Sequence, residues 1–392
     1  MQMSPRAVSG IDSPIGAAKA LLARWPGGGT LLDLSQAAPP WPAPAEIVDH
    51  VRDVAREDRL SGYTPVPGIP KLRSAVADEL SRDYAGAVEP GDVVVTAGCN
   101  QAFCVVAAAL TTPGDEVVTP LPYYFNHDMW LRMNGVRPVY LEPGDDLVPR
   151  ASDAAALITE RTRAISLVTP GNPSGVTIPP EVIAEFAELA ARYDVALVLD
   201  ETYRSFRDTD APPHALFADP AWRRTVVSLH SFSKDLAIPG YRVGAVVASP
   251  ELGREVLKVM DCVAICSPQI GQEAAWAGLT GARAWRADRA AEIARRRAAF
   301  AEVMADRPGG FEMLALGGFF AWVRHPFDDR PTPEVVEDLL LTHDTLVIPG
   351  TAFLPDDRRT MRISVSNADS PAIALLADRL RAIGTRSTHG IR

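Results

Sequence analysis

Apolar residues fall in short runs separated by stretches with helical spacing. Val93-Val94-Val95-Thr96, Glu116-Val117-Val118-Thr119, Val139-Tyr140-Leu141 and Ala164-Ile165-Ser166-Leu167-Val168-Thr169 each predict a buried strand. So do Ala196-Leu197-Val198-Leu199, Thr225-Val226-Val227-Ser228-Leu229 and Gly244-Ala245-Val246-Val247-Ala248. Helix-like stretches lie between most of them, for example residues 101–110 and 180–193, the second opened by Pro179-Pro180. Apolar strands alternating with helices predict an α/β domain with a largely parallel sheet, in which ligands bind beyond the carboxyl ends of the strands.

The flanks follow other patterns. The first 45 or so residues carry Pro26-Gly27-Gly28-Gly29 and the proline-rich Leu34–Pro44 stretch, so the expectation is an extended arm over the surface of another element. Ile47, Val48, Val51 and Val54 then show helical spacing, and Gly62-Tyr63-Thr64-Pro65-Val66-Pro67-Gly68-Ile69-Pro70 predicts a rigid loop presenting Tyr63. After a long helix near 284–304 the pattern changes. Phe319-Phe320-Ala321-Trp322-Val323, Leu346-Val347-Ile348 and Met361-Arg362-Ile363-Ser364-Val365 predict strands, with helices at 333–341 and 370–383. The expected division is an arm (1–45), a large domain (46–285) and a smaller α+β domain (286–392) that the arm completes.

Charge narrows the function classes. A net charge of -10 argues against a general nucleic-acid surface, and Arg295-Arg296-Arg297 reads as a solvated helix face. The opening Met1-Gln2-Met3-Ser4-Pro5-Arg6 lacks a signal-peptide apolar stretch, and no run is long and apolar enough for a membrane span, so a cytoplasmic location is expected. Cys99, Cys104, Cys262 and Cys266 form no metal-ligand spacing; reduced, mostly buried thiols and no bound metal are the expectation.

The candidate chemistry centres on Ser231-Phe232-Ser233-Lys234, with Arg242 downstream. Only Lys19, Lys71, Lys234 and Lys258 are lysines among 39 Lys+Arg. A chain that uses arginine almost everywhere has one chemical reason for an amine that arginine cannot meet, deprotonation to a nucleophile. Polar clusters also follow other strands: Gly98-Cys99-Asn100-Gln101, Thr169-Pro170-Gly171-Asn172-Pro173-Ser174-Gly175 and Asp200-Glu201-Thr202-Tyr203. In a parallel sheet these converge on one pocket.

These motifs, in this order and spacing, resemble the class I/II aminotransferases of the fold-type I pyridoxal 5'-phosphate (PLP) enzymes, aspartate/aromatic aminotransferase-like, over about residues 34–366. The resemblance implies a large domain with a mostly parallel seven-stranded sheet plus a smaller α+β domain. It implies that Lys234 is the Schiff-base lysine and Asp200 the carboxylate at the pyridine nitrogen, with Tyr203 and Asn172 as donors to the cofactor's phenolate oxygen. Gly98, Cys99, Asn100, Ser231, Ser233 and Arg242 correspond to the phosphate cradle, where a helix N-terminus offers free N–H groups. Tyr124, with Tyr123 as the fallback, corresponds to the aromatic residue stacked on the ring, and His127 to the histidine that orients the aspartate. Arg362 corresponds to the clamp on the substrate α-carboxylate, and Tyr63 to a tyrosine reaching the phosphate of a neighbouring subunit, which implies a homodimer with shared sites. Three positions depart from the family pattern: Cys99, Ala37 and Leu354 stand where glycines are usual, and the Ala37 methyl narrows the substrate site.

The implied activity is transfer of the amino group of an L-amino acid to a 2-oxo acid by a ping-pong cycle. Two rival readings use the same cofactor contacts: a PLP-dependent lyase, synthase or oxidase of a specialised biosynthetic pathway, and a non-catalytic PLP-binding protein.

Overall fold

In the computed structural model, residues 1–8, 10–57 and 60–387 are described. The strands, in chain order, are β1 (Leu32–Asp33), β2 (Val93–Thr96), β3 (Glu116–Pro120), β4 (Arg137–Leu141), β5 (Thr162–Val168), β6 (Ala196–Asp200) and β7 (Val226–Ser231). Then come β8 (Gly244–Val247), β9 (Glu312–Gly317), β10 (Phe320–Arg324), β11 (Thr345–Leu346), β12 (Ile348–Pro349) and β13 (Thr360–Ser364).

The seven apolar runs build one seven-stranded sheet, ordered β2-β8-β7-β6-β5-β3-β4. Its members run parallel except β8, which lies antiparallel between β2 and β7. Because side chains alternate along a strand, each strand feeds two cores. Val93 and Val95 join one cluster with helices Pro70–Asp83 and Pro180–Tyr193, while Val94 joins the other with Cys99–Leu110 and Pro250–Ala264. A sheet covered on both faces needs apolar residues at successive positions, which is why the runs read as continuous. The fold is α/β with a large, mostly parallel sheet, as the sequence predicts.

A second, antiparallel sheet, β12-β13-β10-β9, follows the helix Arg283–Ala305. β9 is missing from the sequence reading, although the Gly317-Gly318 turn into β10 is a hairpin signal. The 346–348 run divides between two short strands rather than forming one. Part of the N-terminal arm pairs with this region: β1 runs parallel to β11, with Leu32 opposite Thr345.

Three expectations need correction. The arm is not extended throughout: Pro14–Leu22 is a helix, started by Pro14 and by the Ser13 hydroxyl, which accepts from Gly16 N at 3.4 Å. The Arg295–Arg297 run is a solvated face only at Arg295, whose side chain is 68% exposed; Arg297 is 4% exposed and donates to the carbonyls of Phe206 (3.0 Å) and Gly318 (2.9 Å). Arg296 likewise reaches Ser366 O at 2.5 Å, so these cations satisfy carbonyls between the helix and its surroundings. The thiols are free, but only Cys99 is buried, and Cys262 is exposed.

Candidate active site

The carboxyl ends of β2, β5, β6 and β7 open onto one cavity of about 320 Å³. Twelve of the residues singled out in the sequence line it: Ala37, Cys99, Asn100, Tyr124, Asn172, Asp200, Tyr203, Ser231, Ser233, Lys234, Arg242 and Arg362. Register explains part of this convergence. Val168 stands opposite Asp200, Asp200 opposite Leu229, and Ser231 opposite Gly244, so the strands stop together and their following loops share one edge.

Lys234 comes from the loop after β7, and its Nζ donates to Ala37 O at 2.6 Å. Burial, with Arg362 and Arg242 adding repulsion, lowers its amine from 10.5 to about 8. Asp200 ends β6 and is 3% exposed. Burial alone would raise its carboxyl, yet His127 and Thr202 hold it below the ordinary carboxylate value. His127 Nε2 lies 3.3 Å from Asp200 Oδ2, and Thr202 N donates to Asp200 Oδ1 at 3.0 Å. The His127 ring is itself fixed by stacking on Phe103, with centroids 3.7 Å apart. His127 thus braces the carboxylate from behind the cavity.

Gly98 precedes the helix Cys99–Leu110 with φ of 89°, a conformation that L side chains rarely adopt. A Cβ there would also sit 2.6 Å from Arg242 Nη2. Cys99, Asn100, Ser231, Ser233 and Arg242 line the cavity, with the Arg242 guanidinium beside Gly98 at the helix N-terminus. Burial and then the Asp200 charge push the Cys99 thiol well above its ordinary value, which favours the protonated form.

Tyr124 lines the cavity, and its hydroxyl donates to Asn100 Oδ1 at 3.2 Å. Tyr123 turns away, buried and stacked on Tyr140 at 5.2 Å. Arg362 stands on β13, sandwiched between the rings of Phe320 (4.7 Å) and Phe353 (5.0 Å). Its Nη1 donates to Asn172 Oδ1 at 2.7 Å and its Nη2 to Ser35 O. Burial lowers its guanidinium to about 10, with Tyr203 and Tyr124 opposing. Tyr63 is elsewhere, 81% exposed, and does not line the cavity.

The family model "Aminotransferase class I and II" matches residues 30–380. The chain belongs to this family. Class I/II aminotransferases are PLP-dependent transferases, and this enzyme is one of them. It is 29% identical over 360 residues to the aromatic aminotransferase ISS1 of Arabidopsis thaliana, covering 89% of each chain. It is 32% identical over 355 residues to the arginine–pyruvate transaminase AruH of Pseudomonas aeruginosa, covering 88% of each. Among solved structures, a single mutant of Thermus thermophilus aspartate aminotransferase superposes with a TM-score of 0.88 at 25% identity, covering 98% of this chain and 100% of that one.

The aminotransferase cavity has walls that the sequence reading missed. Ile15, from the unforeseen N-terminal helix, lines it together with Gln36, Phe125, Asn126, Val168 and Phe320. No single-sequence signal marks Ile15, since it reaches the site only through the packing of that helix. Phe320 lies on a strand that the pattern does predict, but alternation does not say which ring meets a ligand.

Proposed function

We propose that this aminotransferase takes the amino group of an L-amino acid and passes it to a 2-oxo acid in two half-reactions at one site, with PLP held on Lys234. The observation that carries this reading is the buried, weakly basic Lys234 amine sharing one cavity with the Asp200 carboxylate and the Arg362 guanidinium. The fit to the cofactor is supported by the Gly98–Arg242 approach, a space that any side chain would fill.

When bound, PLP supplies an aldehyde that condenses with amines and a ring that accepts the electron pair left at the α-carbon. The Lys234 amine, lowered by burial to about 8, would move the proton at the α-carbon once the substrate amine has displaced it from the cofactor. Asp200, kept ionised by His127 and Thr202, holds the proton on the ring nitrogen. Tyr203 and Asn172 would donate to the cofactor's phenolate oxygen. The N–H groups after Gly98, including those of Cys99 and Asn100, bind the phosphate together with Ser231, Ser233 and Arg242. Tyr124 would pack against the cofactor ring, and Arg362 with Asn172 would hold the substrate carboxylate. Ala37 adds a methyl to the substrate wall.

The cationic groups among the described cavity-lining residues are Lys234, Arg242 and Arg362, each with a task in this reading. The proposed donor is a neutral, aromatic or otherwise specialised amino acid. The same proposal makes the enzyme a cytoplasmic homodimer in which Tyr63 serves the partner's phosphate, with the chain divided into arm, large and small domains at about 45 and 285. No helix among the described residues is long and apolar enough to cross a membrane.

The test is spectroscopic. An amino donor added without acceptor must convert the bound cofactor to its amine form and release a stoichiometric amount of 2-oxo acid, and Lys234→Ala must abolish this. Release of ammonia or peroxide in place of that conversion would sink transamination in favour of lyase or oxidase chemistry. Mixing Lys234→Ala with Tyr63→Phe subunits checks the shared site: a hybrid dimer keeps one native site and outperforms either variant.

A further inference from the structure

Two of the proposed cofactor contacts are followed in sequence by charged residues that point away from the cavity. Arg204 follows Tyr203, and Asp235 follows Lys234. Neither lines the cavity; both enter a buried chain of ion pairs behind it. Arg286 Nη1 donates to Glu79 Oε2 at 2.6 Å, and its Nη2 donates to Glu79 Oε1 and to Asp235 Oδ2, each at 2.9 Å. Arg204 donates to the same Glu79 carboxylate and, at 2.8 Å, to Asp83 Oδ2. Glu79 is 4% exposed and Asp235 6%.

The four groups come from four separate elements. Glu79 is on the helix Pro70–Asp83, Arg204 on the loop after β6, Asp235 on the loop after β7, and Arg286 in the first turn of the helix Arg283–Ala305. Charges so deeply buried depend on one another: the two arginines drop the Glu79 carboxyl to about 2 against the effect of burial, whereas burial keeps the Asp235 carboxyl above its ordinary value although Arg286 touches it. The pairs therefore have little freedom to slide. Moving either loop would separate a desolvated charge from its partner.

We propose that the bridge Arg204–Glu79–Arg286–Asp235 is a positioning device that fixes Tyr203 and Lys234 relative to one another across the cavity. This rests on the reading of Lys234 as the cofactor lysine. Arg204 and Asp235 act as the handles, Glu79 and Arg286 as the link. Through Arg286 the link also ties the cavity floor to the helix that leads to the antiparallel sheet bearing Arg362.

The decisive variant is the double substitution Asp235→Asn/Arg286→Gln in the holoenzyme. It removes one negative and one positive charge, so the net charge beside Lys234 is unchanged and any effect comes from position. The readouts are the pH midpoint of the bound cofactor's visible absorbance, kcat and KM. With Tyr203 less well placed, its hydrogen bond to the charged phenolate weakens, and the midpoint rises by about half a unit or more. kcat falls about tenfold while KM for the amino donor stays within about twofold, because misplaced reacting groups tax chemistry more than binding. Asp235→Glu, which keeps the charge and displaces it by one methylene, gives a smaller loss in kcat and decides the matter should the double variant fold poorly. Variants with the wild-type midpoint and kcat, whatever their melting temperature, would overturn the bridge and leave a merely structural cluster. A wild-type protein showing no cofactor band would overturn the functional reading, and the bridge with it.

Discussion

Arg362 and Asn172, 190 residues apart in sequence, meet through an Nη1–Oδ1 hydrogen bond of 2.7 Å, with the guanidinium packed between two phenyl rings. Asn172 thereby fixes the fork that the proposed mechanism aims at the substrate carboxylate. Lysine has neither the planar fork nor the ring-stacking face. Arg362→Lys is expected to lower kcat/KM at least about 100-fold, near 3 kcal/mol, while cofactor affinity changes little. Steady-state kinetics beside a cofactor titration checks both halves of this expectation.

Lys234 sets a pH dependence whose sign follows from its depressed basicity. In protein stripped of cofactor, uptake of PLP should accelerate as pH rises through about 8 and level off beyond it, well below the ordinary lysine value of 10.5. Between those two values the folded state has released a proton that the unfolded state keeps, so this group adds stability as pH rises across the window and is a liability below it. Denaturant unfolding of wild type and Lys234→Met at several pH values between 8 and 10 should show a rise in wild type that the variant lacks.

Gly98→Ala strains the backbone at φ of 89° and drives a methyl towards Arg242. A loss of about 1–2 kcal/mol in stability is expected from the conformation alone. Cofactor affinity should fall further, by roughly tenfold, because the displaced guanidinium is a proposed phosphate contact. Thermal unfolding of the apoprotein and equilibrium dialysis of the holoenzyme separate the two effects.

Arg297→Ala tests the buried cation in the long helix. It leaves the carbonyls of Phe206 and Gly318 without their charged donor, and Asp208 without its partner. A destabilisation of about 2–4 kcal/mol follows from the lost charged hydrogen bonds and packing, measurable as a lower urea midpoint.

The seven strands of the large sheet were legible because each must be apolar on both faces, and the part of the cavity lining that follows those strands was legible with them. Lys234 stood out for a compositional reason, in a chain that otherwise prefers arginine. What escaped was set by packing at a distance. The Pro14–Leu22 helix depends on a capping serine and on the antiparallel sheet beneath it, so its Ile15 entered the cavity unannounced. Arg296 and Arg297 looked like solvent-facing charge because a run of cations says nothing about which carbonyls lie within reach. The Glu79–Arg286 bridge was invisible for the same reason: its members are scattered from residue 79 to residue 286 and share no local pattern.

The cavity draws its wall from residues as far apart in sequence as Ile15 and Arg362. No segment shorter than residues 15–362 contains it, so its first and last wall residues leave the ribosome at widely separated times. Colour from a bound cofactor would then report the finished fold rather than any part of it, and a ligand that binds only that state protects it against proteolysis as a whole.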